Sequence, residues 1–304
     1  MTSPCLVVRY FDDTQKGHWA RLVQVLVHTA RTHCPGWTLD VADTGPSEIY
    51  SPTGRQPDAD NTRKMDAWAA AVAAASDGDR LLLIDGDTII RRPLDDVWTR
   101  RFDLAYTRKP EEARYPFNGG VIFLRVSDRT RRFMQMWRDV NRFLLEHPQE
   151  HDVWRPAYGG MNQSALGMLF TQPDQAWPAQ FKGYRHELDV LRLPCLEWNC
   201  EDEHWDVFDP SVTRIVHYKS GLQRATLLRE DVSRAHSTLV SEWRALEDEA
   251  KRTTMISQAP QNMQVTSDEL TNPERAAEIT VPEDNAPPPL TRQQRRRLQR
   301  KGAV

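Results

Sequence analysis

The tripeptide Asp85-Gly86-Asp87 is the part of the chain best suited to chemistry. It ends the apolar run Arg80-Leu81-Leu82-Leu83-Ile84, which reads as a fully buried strand. Two carboxylates at the carboxyl end of a parallel strand stand where open α/β sheets bind their ligands. The glycine between them lets backbone approach a ligand closely. Hard oxygen donors with room left for water and diphosphate oxygens are what Mg²⁺ or Mn²⁺ prefers. The expected chemistry is therefore a divalent metal holding a phosphorylated ligand. An Asp-x-Asp alone also occurs as a solvated turn, so the neighbouring elements have to decide.

Other residues extend the set. His217 ends the short apolar run Ile215-Val216 and is a third candidate metal ligand beside two carboxylates; its other reading is a hydrogen-bonded core histidine. Lys64 and Lys219 are cations able to neutralise charge on a diphosphate leaving group, or else ordinary solvated side chains. Asn118 precedes Gly119 and Gly120, so its amide can reach a bound sugar uncrowded; alternatively it is a turn residue.

Positioning these groups requires strands alternating with helices. Cys5 to Tyr10 reads as a buried strand, and Trp19, Leu22, Val23, Leu26, Val27 and Ala30 recur at helical spacing. A second strand is expected over Trp37 to Ala42 and a helix over Asn61 to Ala75. Further strands are expected at Asp103 to Thr107, Gly120 to Val126 and Arg214 to Tyr218. Phe133, Met136, Trp137, Val140 and Phe143 mark another helix. This alternation predicts an α/β class with a mainly parallel central sheet flanked by helices. Neither an internal repeat nor a glycine-rich phosphate loop is present.

Composition sets the bounds. With 304 residues, 39% hydrophobic and 27% charged, the chain can build a self-sufficient core. A net charge of −3 excludes a strongly basic nucleic-acid binder as the whole chain, though not a local patch. Cys5, Cys34, Cys195 and Cys200 form no disulfide framework or CxxC pair, so free buried thiols in a reducing compartment are expected. No window approaches the ~18 apolar residues of a membrane span, and no secretory signal precedes Arg9, so a soluble, cytoplasmic protein is expected. The sequence after Arg252 has no aromatic residue and clusters of proline. The expected division is a globular domain over 1–252 and a flexible tail over 253–304. Pro287 to Pro289 form a stiff spacer in that tail. A basic cluster follows at Arg292, Arg295, Arg296, Arg297, Arg300 and Lys301 that could contact a phosphate-rich partner, or simply be solvated.

Taken together, strand, Asp-Gly-Asp, Thr88-Ile89-Ile90 and Pro93-Leu94-Asp95-Asp96-Val97-Trp98 resemble the GT-A fold nucleotide-sugar glycosyltransferases. They are most similar to the glycogenin and lipopolysaccharide galactosyltransferase-like group. Other segments fall in that group's order. Lys64-Met65-Asp66-Ala67-Trp68 is similar to its Lys-Leu-x-x-Trp helix start, whose lysine contacts the donor. Phe117-Asn118-Gly119-Gly120-Val121 looks like the segment whose asparagine faces the donor sugar. Gly160-Met161-Asn162-Gln163 resembles its Asp-Gln stretch, and Ile215 to Gly221 the strand whose histidine completes the metal site. The resemblance covers about residues 5 to 224 and implies a single Rossmann-like GT-A domain.

It further implies metal ligation by Asp85, Asp87 and His217, donor binding by Tyr10, Asp12, Asp13, Lys64, Asp85, Gly86 and Lys219, and catalytic placement of Asn118, Asn162 and Gln163. Two departures stand out. Asn162 replaces the group's aspartate, and the usual Gly-x-x-Lys-Pro-Trp after the histidine is absent, which shifts the phosphate contact to Lys219 or Arg224.

The expected function is a Mn²⁺- or Mg²⁺-dependent transfer from a nucleotide sugar, UDP-linked by preference, to an acceptor hydroxyl with retention of configuration. Inversion would need a carboxylate base, for which Asp189, Glu197 and Asp206 are weak candidates. The acceptor stays open among glycan, protein, lipid-linked sugar and modified nucleic acid; the basic tail makes a DNA glycosyltransferase acting on hydroxymethylated bases one alternative. The other is a non-catalytic GT-A-like module dimerising through the stripe Leu228, Val232, Ala235, Leu239, Trp243 and Leu246. The same stripe packed on the domain is the plainer reading.

Overall fold

Branched apolar runs make the strands, and their pairing gathers the strand ends at one edge. The computed structural model describes residues 2–11, 17–45, 56–109, 116–171, 181, 184, 186–228 and 236–258. Strand β1 (Cys5–Tyr10) leads into helix α1 (His18–His33), entered through Gly17 at φ 59°, a left-handed conformation that suits glycine. Strand β2 (Thr38–Asp43), helix α2 (Gln56–Ala74) and strand β3 (Arg80–Ile84) follow. After β4 (Thr88–Ile90) come β5 (Leu104–Arg108), β6 (Phe117–Arg125), α3 (Asp128–Glu146), α4 (Pro148–Tyr158) and α5 (Met161–Thr171). The last elements are β7 (Val190–Pro194), the short α6 (Cys195–Trp198), β8 (Ile215–His217), α7 (Ser220–Leu228) and α8 (Ser237–Gln258).

The main sheet has the order β2-β1-β3-β6-β5-β7. Pairs β1–β2, β1–β3 and β5–β7 are parallel, whereas β6 runs antiparallel to both neighbours. The carboxyl ends of β1, β3 and β5 therefore meet the amino end of β6 at one edge. Helices α2, α3 and α5 cover one face through Trp68, Phe133, Trp137 and Leu166. Helix α1 and the Trp98 turn cover the other through Leu26, Val23 and Leu94. Ser127 caps α3 with a reciprocal capping box to Thr130. The elements up to Thr254 form one compact unit.

Several expected boundaries move. Strand β6 begins at Phe117 rather than Gly120, so Asn118 is a strand residue and not part of a turn. Its ladder with β5 jumps from Tyr106↔Ile122 to Thr107↔Asn118, and the glycines fall in that irregularity. The apolar stripe from Leu228 to Leu246 is divided between two helices, α7 and α8, and residues 229–235 between them lie outside the described set. Helix α8 passes Arg252 to Gln258, two residues short of Pro260, where proline disfavours helix in the residue before it. Leu239 and Trp243 of the proposed dimer stripe are buried against Val216, Tyr218 and Leu222, with Leu246 packed alongside. Leu239, Trp243 and Leu246 thus serve the core, Leu228 is half-exposed, and Val232 and Ala235 are outside the described residues. Beyond Gln258 the expected tail is outside them too. No described helix is long and apolar enough to cross a membrane. All four cysteines are free; Cys34, Cys195 and Cys200 are buried and Cys5 half-buried.

Candidate functional site

A second, two-stranded sheet brings His217 to the Asp-Gly-Asp turn. Strands β4 and β8 pair antiparallel with Thr88 opposite His217, and the Tyr218 amide donates to the Asp87 carbonyl at 2.7 Å. From the main sheet, the Asp85 amide donates to the Gly120 carbonyl at 2.9 Å, which seats the turn on β6. One ligand atom from each of Asp85, Asp87 and His217 lies within 4.8 Å of the others.

The donor set fits a cation. His217 Nδ1 bonds Asn199 Oδ1 at 3.0 Å, and Asn199 is itself oriented by donating Nδ2 to Thr107 Oγ1 at 3.0 Å. With Nδ1 as the N–H donor, a neutral ring turns the lone pair of Nε2 toward Asp87 Oδ1 at 2.9 Å and Asp85 Oδ2 at 3.7 Å. Acceptors that face one another so closely require a proton or a metal between them. Gly120 makes room for them: a Cβ there would come within 2.6 Å of His217 Cε1 and 2.8 Å of Asp85 Oδ2.

Around this cluster opens a cleft of about 470 Å³. Tyr10, Phe11 and Trp19 line it, together with Asp60, Asn61 and Lys64 on α2 and Gly160, Asn162 and Gln163 at the start of α5. Lys64 Nζ contacts Asp85 Oδ1 at 2.5 Å and lies 4.7 Å from the Trp68 ring centroid, a cation–π position. Burial would raise the Asp85 carboxyl, but Lys64 foremost and then His217 outweigh it and hold the group below its ordinary range.

Lys219 lines the cleft as well. Burial alone would depress its ammonium; Glu201 outweighs that and holds it above the usual lysine value, so it is charged at neutral pH. Glu201 is buried to 1% exposure and bonds Lys219 Nζ, Lys109 Nζ at 2.5 Å and Asn118 Nδ2 at 2.6 Å. Burial pushes this carboxyl up, yet Lys219 and then Lys109 bring it down to about 2.

The fold thus collects Tyr10, Lys64, Asp85, Gly86, Asp87, Asn118, Asn162, Gln163, His217 and Lys219 around one cleft. Asp12 and Asp13 lie outside the described residues. The Asn118 amide is already committed, since its Oδ1 accepts from the Gly120 amide at 2.8 Å while Nδ2 goes to Glu201. Gln163 Nε2 donates to the Phe117 carbonyl at 2.7 Å, and the Asn162 carbonyl accepts from Trp137 Nε1 at 2.9 Å. Asp189, Glu197 and Asp206 do not line the cleft; Glu197 pairs with Arg214 at 2.8 Å, and Asp206 is exposed. Arg224 is exposed on α7 and away from the cleft. Trp154, Trp198 and Trp205 are buried core residues. Glu201, Lys109 and Asn199 were not singled out from the sequence, because only the fold makes their segments adjacent.

No protein-family model and no curated protein matches the chain. Solved structures do. The galactosyltransferase LgtC, in complex with donor and acceptor sugar analogues, aligns at 14% identity and a TM-score of 0.50, covering 81% of this chain and 95% of LgtC. The apo-form glycosyltransferase GlyE of Streptococcus pneumoniae aligns at 15% identity and a TM-score of 0.50, covering 84% of this chain and 64% of GlyE. The chain thus spans less than two thirds of GlyE. At such identities the likeness is one of architecture: the protein has a GT-A glycosyltransferase-like fold, with a cluster fit for a divalent metal at its sheet edge.

Proposed function

We propose that the protein is a metal-dependent glycosyltransferase that takes a sugar from a nucleoside-diphosphate donor, UDP-linked by preference, and passes it to an acceptor hydroxyl. The observation that carries this reading is the convergence of Asp85, Asp87 and His217 in the cleft of a GT-A-like fold. A Mn²⁺ or Mg²⁺ ion bound there would neutralise diphosphate oxygens as the leaving group departs. Lys64 and Lys219, held at fixed positions by carboxylates, add positive charge where negative charge develops, without reorganising at the moment of reaction. The aromatic rings of Tyr10, Phe11 and Trp19 offer a face for the base. Gly160, Asn162 and Gln163 form the wall against which the sugar would lie.

Among the described residues, the carboxylates lining the cleft are Asp60, Asp85 and Asp87. Two belong to the metal set, which supports retention without a dedicated base. If the configuration inverts, Asp60 is the carboxylate to which a base role falls. The chain's resemblance to the glycogenin and lipopolysaccharide galactosyltransferase-like group supports the same reading, with Asn162 where that group has aspartate.

Thermal unfolding tests the proposal. UDP at a hundred times its dissociation constant should add about 2.7 kcal/mol of stability. We expect that rise only when Mn²⁺ is present, and expect it to vanish in Asp87→Ala. A larger metal-dependent shift with GDP, ADP or dTDP would change the donor base assigned. No such shift with any nucleoside diphosphate would overturn the reading.

A further inference from the structure

We infer that Glu201 is a positioning residue for transfer, setting the place of both the Lys219 ammonium and the Asn118 amide; this rests on the proposed function of the cleft. The segment that carries it is extended. The Cys200 amide donates to the Ile215 carbonyl at 2.9 Å, the His217 amide donates to the Cys200 carbonyl at 2.8 Å, and Cys200 bridges Val216 in parallel. Alternation in an extended segment sends neighbouring side chains to opposite faces. Cys200 enters the core with Val216 and Trp243, so Asn199 and Glu201 share the opposite face, toward the site. Asn199 orients His217, and Glu201 reaches Lys219 and Asn118.

Glu201 ties together three chain segments that the sequence keeps apart. Lys109 follows β5, Asn118 belongs to β6 and Lys219 follows β8. A carboxylate at 1% exposure is tolerated only when paired, and here one anion faces two ammonium groups. Lys219 is the member of this cluster on the cleft wall. Because Asn118 Oδ1 already holds the Gly120 amide, the bond from Nδ2 to Glu201 fixes the amide plane beside the glycine that makes room for the metal ligands. Glu201 does not line the cleft, so it acts through Lys219 and Asn118 and not on substrate directly.

A purely structural role would consist of neutralising the buried Lys109, and a double variant separates the two. In Glu201→Gln, Lys109 and Lys219 lose their anion, so both stability and turnover should fall. Replacing Lys109 as well, in Lys109→Met with Glu201→Gln, removes the surplus buried charge. The double variant should recover most of the melting temperature and keep the Mn²⁺-dependent response to UDP. Its kcat for hydrolysis of the nucleotide sugar that wild type consumes fastest, from a panel of UDP- and GDP-sugars, should stay at least tenfold below wild type. A displacement of about an ångström is enough for a loss of that order. KM should change far less than kcat, because Lys219 acts most strongly on charge that develops during bond breaking.

Should the single variant not fold, the double variant still provides the test. Recovery of wild-type kcat in the double variant, or a single variant within twofold of wild type, would overturn the positioning role while leaving the cleft's function intact. Absence of any metal-dependent response to nucleoside diphosphates in wild type would overturn the function itself, and this inference with it.

Discussion

Gly119 and Gly120 stand side by side on β6, yet the surroundings assign them different tolerances. A Cβ on Gly120 would overlap His217 Cε1 and Asp85 Oδ2, both held by hydrogen bonds to Asn199 and Lys64 and unable to yield cheaply. A Cβ on Gly119 meets Asn162 Nδ2 and Trp137 at 3.4 Å, contacts that a small shift relieves. Gly120→Ala should therefore weaken Mn²⁺-dependent nucleotide binding at least tenfold, whereas Gly119→Ala should stay within about threefold, as read by calorimetric titration. Equal losses in the two would mean that the space beside the ligands is not limiting. The two carboxylates and the histidine were legible in the sequence because Asp85 and His217 each end an apolar run and Asp87 lies one glycine beyond, and a strand end marks a candidate site before any contact is known. Glu201 was not legible. In Glu197-Trp198-Asn199-Cys200-Glu201 the alternation that puts two polar groups on one face lasts three residues and follows a helical turn, too short to register as a period.

Helix α8 supports the candidate metal-binding cluster from behind, although none of its described side chains lines the cleft. It packs Leu239, Val240 and Trp243 onto β8 and α7, accepts the Tyr218 hydroxyl at the Leu239 carbonyl at 2.9 Å, and offers Glu242 to Arg91 at 2.9 Å and Glu247 to Arg21 at 2.6 Å. Truncating the fully buried Trp243 to alanine should cost about 3–5 kcal/mol in urea unfolding. Leu228→Ala, at a half-exposed position of the same apolar stripe, should change stability by less than about 0.5 kcal/mol. If the stripe were a dimer seam, the unfolding midpoint would instead depend on protein concentration. Helices α1 and α3 were legible because their apolar period matches one buried face, and β1 and β3 because both of their faces are buried, which makes each a continuous apolar run. Helix α5 was not, since Met161, Ala165, Leu166, Met168 and Leu169 are buried together with Asn162 and Ser164, which leaves no polar face to set a period. Strand β4, with three residues, and α4, with proline at its start and inside, gave no usable pattern either.

For the molecule as a whole, buried carboxylates of opposite disposition decide how stability responds to acid. Glu201 titrates near 2 in the fold against 4.5 ordinarily. Its contribution is complete above about pH 4.5 and is lost as the pH falls toward 2, amounting to roughly 3 kcal/mol over that window. Asp85 and Glu247, both held below their ordinary range despite burial, act in the same direction. Glu242 has the opposite sign: burial raises its carboxyl even though Arg91 bonds it, so the fold favours its protonated form, and that contribution is lost as pH rises through the raised value. Among the described residues, three buried or partly buried carboxyls lowered against one raised predict that stability declines on acidification from about pH 5 to pH 3. Urea midpoints measured across that range should fall steeply in wild type and more gently in Glu201→Gln, with the two curves converging as the pH approaches 2. In Glu242→Gln the gain over wild type should grow as pH rises. Parallel curves for wild type and Glu201→Gln would show that the fold does not lower this carboxyl's pKa, and the pairing of one anion with two lysines beneath the cleft would then have to be abandoned.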